Sequence, residues 1–179
     1  MTGPLPGRSF YMGIAGVVVA LDQVTKAVVD DGMALHESRV VLEGLLRLTY
    51  VQNRGAAFGI LAEAGLPYQA ALFSVVSLLA LVAIGLYAWR MPVDSRLPQT
   101  ALALVMGGAV GNLLDRARLG YVIDYVDVHW GPHHWPAFNV ADSAITVGVV
   151  LLVLDILRNP QPDEAAKEIV APAVSGPGE

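Results

Sequence analysis

The 179-residue chain contains no cysteine. That absence excludes a disulfide framework, a thiolate metal site, a cysteine nucleophile and a lipid carried on sulfur, and it leaves the redox compartment unreadable. Charge is scarce as well: Asp, Glu, Lys and Arg make up 15% of the residues, with a formal net charge of -5. The basic residues stand singly, so no patch tracks a phosphate backbone, and nucleic acid is not expected as a partner. No internal repeat is present. What fills the chain is apolar: 55% of the residues are hydrophobic and the mean hydropathy is +0.55. That is the composition of an integral membrane protein.

A bilayer crossing takes about 20 apolar residues, and four stretches approach that length, near 10–29, 68–89, 99–118 and 141–157. The third reaches full length only by running through Asp115 and Arg116, which then sit at its wet end. Its Gly107–Gly111 run, "GGAVG", lets a neighbouring helix approach closely. A cleaved secretory leader at the N-terminus is the weaker reading of the first span, because Asp22 and Lys26 interrupt it and no small-x-small site follows. Residues 30–66 alternate apolar and polar positions around glycines, the pattern of a short sheet or hairpin lying on the membrane surface. One four-span domain over 1–158 is expected, followed by a disordered tail over 159–179 whose Pro, Ala, Gly and Glu have little to bury. The distribution of Arg and Lys favours cytoplasmic termini, which puts both polar excursions, 30–66 and 119–139, on the outer side.

Ionisable groups inside an apolar span mark an ion pair, a pathway or an active site. Asp22 and Lys26 lie four apart, on one helical face, where they can neutralise each other. Asp115 and Arg116 are sequence neighbours, so each needs its own partner. Asn112 precedes them by one turn, and the polar face so formed is either a structural network or a substrate contact. Asp124 follows the third span, and Asp142 opens the fourth just after Asn139, a natural N-cap. If those two helices are antiparallel neighbours, the carboxylates meet and share a proton, supplying a base and an acid to activate water against an amide. Asp127 is the alternative partner for Asp142. Trp130, Trp135 and Phe138 anchor the intervening loop at headgroup depth. His129, His133 and His134 invite a metal, but there is no HExxH helix, and Gly131 and Pro132 break helical spacing, so no metal is expected. Ser74 and Ser77 have no histidine nearby in sequence, and Ser143 fits helix capping better than nucleophilic attack. The rival class is a proton-coupled transporter or channel subunit relaying through Asp22, Asp115, Asp124 and Asp142; it requires acids at several depths, whereas these gather toward one face. A metal-dependent membrane protease is the third option.

Four ordered segments carry a resemblance: "DQVTK" at 22–26, "NRGAAFG" at 53–59, "GGAVGNLLDRARLGYVIDYVD" at 107–127 and "FNVADS" at 138–143. Together they make the chain resemble the bacterial lipoprotein signal peptidases (signal peptidase II), nearly to residue 158. The resemblance implies an α-helical integral membrane protein, with four transmembrane helices and a small periplasmic β-sheet cradle between helices 1 and 2. It implies an aspartyl endopeptidase that cuts prolipoproteins just before a diacylglyceryl-modified cysteine. By motif, the catalytic pair falls on Asp124 and Asp142. Asn53, Gly55, Asn112, Asp115, Arg116, Asn139, Ala141, Asp22 and Lys26 fall on positions that bind substrate or support the site. The "QNRGAAFGI" loop belongs to the cradle, with Gly55 and Gly59 free to bend, and the Gly- and Ala-rich wall of span three suits a small-residue cleavage motif. The same likeness implies no cofactor and no metal, membrane lipid as a partner, a monomer inhibited by globomycin, and an inner-membrane protein whose active site faces the periplasm and whose termini are cytoplasmic. The histidine-rich loop around His133 departs from the family's usual pattern.

Overall fold

An apolar helix of 20 or so residues satisfies all its backbone hydrogen bonds internally, which is why a chain with this hydropathy crosses lipid as helices. The computed structural model describes residues 7–55, 68–92 and 94–159. Four helices in it are long and apolar enough to cross a membrane: α1 (Arg8–Gly32), α2 (Gln69–Arg90), α3 (Arg96–Leu119) and α4 (Val140–Arg158). Their 19 to 25 residues, at about 1.5 Å each, give about 28–38 Å, enough for the hydrocarbon core. The third does run through Asp115 and Arg116. Leu72, Val75, Leu79, Val82 and Leu86 of α2 are all exposed, an apolar surface whose solvent is lipid. Residues 56–67 and 160–179 lie outside the described residues, and with them the expectations for Gly59 and for the tail.

Helix α3 is the hub, packed against α1, α2 and α4. In hydrocarbon, helices gain little from hiding apolar surface, so contact depends on close backbone approach through small residues. A Cβ on Gly107 would lie 2.8 Å from the Ala15 carbonyl of α1, one on Gly108 2.3 Å from the Ala141 carbonyl of α4, and one on Gly111 2.5 Å from Asp22 Oδ2. These glycines are therefore consumed by helix packing, which corrects the expectation that this wall of span three lines a substrate groove. Gly108→Ala is expected to destabilise the protein by about 1–3 kcal/mol, the usual cost of overpacking, because the atom it meets is backbone and cannot swing aside. Gly85→Ala is the control, since the nearest atom to its added Cβ is the flexible Met106 Cε at 3.7 Å. Thermal unfolding of both variants in detergent checks the contrast.

The sheet is larger than a cradle between helices 1 and 2. Strands β1 (Ser38–Leu42) and β2 (Leu46–Asn53) come from that connection, but β3 (Val122–Trp130) and β4 (His133–His134) come from the one between α3 and α4, in the antiparallel order β1-β2-β3-β4. The reason β3 escapes a reading by pattern is that most of it is buried on both faces, which hides the period-2 alternation. Ile123 and Tyr125 pack with Val29, Met33 and Tyr50 in the core between α1 and the sheet. Gly120 caps α3 with φ 79, a left-handed conformation that favours glycine, and turns the chain into β3. In the β2–β3 ladder Val51 pairs with Asp124 and Asn53 with Val122, so the end of β2 is held beside the start of β3.

Candidate active site

Two buried aspartates are held by one asparagine where α4 begins. Asn139 caps α4 by accepting from the Asp142 N–H at 2.9 Å, and Asp142 Oδ2 accepts in return from the Asn139 N–H at 3.3 Å. This capping box fixes the Asp142 carboxylate at the first turn. The Asn139 side chain, fully buried, also donates to Asp124 Oδ1 at 2.7 Å. Asn53 Nδ2 donates to Asp124 Oδ2 at 2.9 Å, and Asn112 Nδ2 to Asp142 Oδ1 at 2.8 Å. Among the described residues, the carboxylates thus take their hydrogen bonds from three asparagines, with Asn139 bridging them, rather than from each other as the shared-proton picture expects. They remain electrostatically coupled. Burial first, and then the Asp142 charge, push Asp124 up from 3.8 to about 7, while the donors Asn53 and Asn139 and the charge of Lys26 pull the other way. Asp127 is not the partner. It sits three positions from Asp124 along a strand, hence on the opposite face, where it bonds His134 Nδ1 at 2.8 Å and Thr49 Oγ1 at 3.2 Å.

Beneath the pair lies an ionic network. Lys26 Nζ contacts Asp22 Oδ2 and Asp115 Oδ2, each at 2.8 Å, and donates to Asn112 Oδ1 at 2.9 Å, which occupies all three of its protons. Lys26 and both carboxylates are at most 3% exposed. Asp22 Oδ1 accepts from the Ala141 N–H at 2.9 Å, and Asp115 Oδ2 from the Ile123 N–H at 3.1 Å. The network therefore grips the first turn of α4 and the start of β3, the two segments that carry Asp142 and Asp124. Asp22 and Lys26 form the ion pair that their spacing indicates, but its wider reach was not legible locally. Gln23 was missed altogether; its side chain donates to Asp115 Oδ1 at 2.9 Å and to Asp22 Oδ2 at 3.2 Å. So was Tyr125, whose hydroxyl donates to Thr25 Oγ1 at 2.7 Å and interacts with the Val140 backbone. A glutamine and a threonine inside an apolar span were the available signals.

Arg116 points away from Asp115, as neighbours on a helix must. Its Nη2 donates to the Gly55 carbonyl at 3.2 Å and its Nη1 to Asn112 O at 3.4 Å, while its Nε is buried without a partner among the described residues. The guanidinium is within electrostatic reach of Asp142, Asp124 and Asp115. Asn53 Oδ1 accepts from the Gly55 N–H at 2.8 Å, so Asn53 and Arg116 hold the Gly55 peptide from both sides, next to Asp124. Ala141, fully buried, closes the Gly108 contact. A cavity of about 300 Å³ opens on Asp142, walled by Trp135, Phe138, Thr146 and Val147. Ser143 Oγ donates to Asn139 O at 2.9 Å, a local capping bond. Asp22, Asp115, Asp124 and Asp142 are joined through Lys26, Asn112 and Asn139 into one cluster, so the transporter-relay alternative finds no support.

Carboxylates kept dry at the end of a lipid-spanning bundle, beside an apolar cavity, define the class: a multi-pass membrane enzyme. The profile of the family described as signal peptidase (SPase) II matches residues 14–158, and the chain belongs to that family. It is 46% identical to a lipoprotein signal peptidase of Geobacter metallireducens over 86% of this chain and 94% of the relative. With a lipoprotein signal peptidase of Geobacter sulfurreducens it shares 49% identity over 84% of this chain and 92% of the relative. The fold matches a bacterial membrane enzyme solved by the in meso method at 2.3 Å resolution, with a TM-score of 0.76, 32% identity, and 84% of this chain and 89% of that one covered.

Proposed function

We propose that Asp124 and Asp142 are the catalytic pair of a membrane aspartic endopeptidase that removes the signal peptide from prolipoproteins, cutting just before a diacylglyceryl-modified cysteine. The observation that carries this reading is the pair itself: two buried carboxylates, presented by different elements and bridged by Asn139, of which Asp142 lines an apolar cavity. Asp142, ionised, takes a proton from water as the water attacks the scissile carbonyl carbon. Asp124, protonated, donates to the carbonyl oxygen; when the C–N bond breaks, Asp142 passes the water's proton to the cysteine nitrogen, which leaves as an amine, and a hydroxyl of the tetrahedral intermediate returns its proton to Asp124. Arg116 and Asn53 hold the Gly55 peptide beside the reacting bond; Asn112 fixes the base. The Asp22–Lys26–Asp115 network positions both aspartates without touching substrate.

In this reading the peptidase unit spans residues 1–158. The sheet and the aspartates face the periplasm at the outer leaflet of the inner membrane, and both termini are cytoplasmic, in keeping with Arg8, Arg90, Arg96 and Arg158 at the opposite helix ends. In this reading the enzyme works as a monomer without a cofactor, in contact with membrane lipid along the exposed apolar face of α2. The test is cleavage of a diacylglyceryl-modified prolipoprotein peptide by the purified protein in detergent. Cleavage at the modified cysteine is expected, with inhibition by globomycin and indifference to EDTA; no cleavage, or loss on chelation, overturns the reading.

The titration of Asp124 gives this mechanism a sign. The reaction needs its protonated form, so kcat/KM should fall as pH rises through about 7. Asn53 bonds the charged form and lowers this value, so Asn53→Ala should raise it and carry the descending limb to higher pH. A limb that stays in place or moves lower contradicts the assignment of the proton to Asp124.

A further inference from the structure

The β3–β4 hairpin carries a second group of titratable side chains that peptide cleavage leaves unused. Residues two apart on a strand share a face, so Asp127 and His129 look the same way, and the antiparallel register sets His134 directly across from His129. The two imidazoles stack with centroids 5.1 Å apart, and His134 Nδ1 lies 2.8 Å from Asp127 Oδ1. One donor atom from each of the three residues lies within 4.8 Å of the other two. His129 is 4% exposed, and its Nδ1 has no hydrogen-bond partner among the described residues. A buried polar nitrogen left unbonded is costly. Its neighbours in this cluster supply what a cation accepts.

We propose that Asp127, His129 and His134 form a zinc-type divalent cation site on this hairpin. Two imidazoles and one carboxylate suit a borderline ion better than calcium or magnesium, which take oxygen. Zinc bonds of about 2.0–2.2 Å set tetrahedral ligands about 3.3 Å apart, and the adjustment falls on His134, whose side chain is 45% exposed and free to turn. Thr49 Oγ1 donates to the far oxygen of Asp127 at 3.2 Å and so orients that carboxylate. Arg47 is the cross-strand partner of Asp127 yet makes no ion pair with it among the described residues, so the ionic contact of this carboxylate is with His134, itself one of the three ligands. Gly131 and Pro132 rule out a helical metal site here, but a hairpin brings ligands together by a different geometry, i and i+2 on one strand plus the residue opposite. The ion staples β4 to β3. The site lies toward the end of β3 away from Asp124 and touches none of the reacting atoms. Zinc binding and peptide cleavage therefore succeed or fail separately.

The experiment is calorimetric titration of Zn²⁺ into full-length, tag-free protein in detergent after EDTA stripping, with Co²⁺ absorption as a report on coordination. One ion per chain is expected, with a rise in unfolding temperature. His134→Ala, at an exposed position, should weaken binding by more than the ~10–100-fold typical of losing an outer-shell partner, and Asp127→Asn should do the same, both with cleavage activity retained. His133→Ala, on the other face, should bind as the unaltered protein does. Absent saturable binding, binding that survives His134→Ala and Asp127→Asn, or equal loss in His133→Ala overturns the site.

Discussion

Asp124→Asn and Asp142→Asn should each stop signal-peptide cleavage while leaving a folded, membrane-inserted protein. The substitutions conserve shape, and Asn139, Asn53 and Asn112 remain to bond the new amides, although an amide has only one acceptor oxygen where the carboxylate had two. What is lost is the ability to exchange a proton. General acid or base catalysis contributes about 10²–10⁴-fold by itself. Because the two groups act on one bond in one step, their losses are not additive: the double variant should be no slower than the worse single one. Folding is read from the unfolding transition in detergent, cleavage from product mass. Either single variant within tenfold of the parent rate would mean that this pair does not carry the chemistry.

Much of this site could be read from residues because the membrane makes anomalies visible. Four apolar runs announce four helices, and any charged or polar side chain within or beside them stands out, so Asp22, Lys26, Asn112, Asp115, Arg116, Asp124 and Asp142 all surface from their places along the sequence. How they are connected could not be read. The Asp22 carboxylate accepts from the Ala141 N–H across 119 positions, and nothing local to either residue encodes that contact. The "GGAVG" run marked close packing correctly, but the partner it packs against depends on tertiary arrangement, and it proved to be α1 and α4 rather than substrate. Strand β3 was hidden for the opposite reason: with most of both faces buried, polar and apolar residues no longer alternate with exposure. Helical spacing was then the wrong template for its histidines, and Asp127 could not be separated from Asp124 until a strand put them on opposite faces.

Lys26→Met should be the most destabilising single change in the protein. The ammonium sits between Asp22 and Asp115, both at 2.8 Å and all three groups buried, so its removal leaves two carboxylates facing each other out of water with Asp142 and Asp124 nearby. Breaking a buried pair from one side costs about 3–5 kcal/mol, against a total stability of about 5–15 kcal/mol for a typical domain. Low yield and a strongly depressed unfolding temperature are expected. The cost belongs to stranded charge rather than lost volume, so a triple variant that adds Asp22→Asn and Asp115→Asn should recover most of the stability. It should not recover the pH profile. Of the three charges removed, it is that of Lys26 that holds Asp124 down, so the descending limb of kcat/KM should still lie at higher pH than in the parent. A single variant as stable as the parent would show that neutralisation by Lys26 is not what holds α1, α3 and α4 together. A triple variant that is stable with an unmoved limb would detach the network from the catalytic pair and leave it a purely structural clamp.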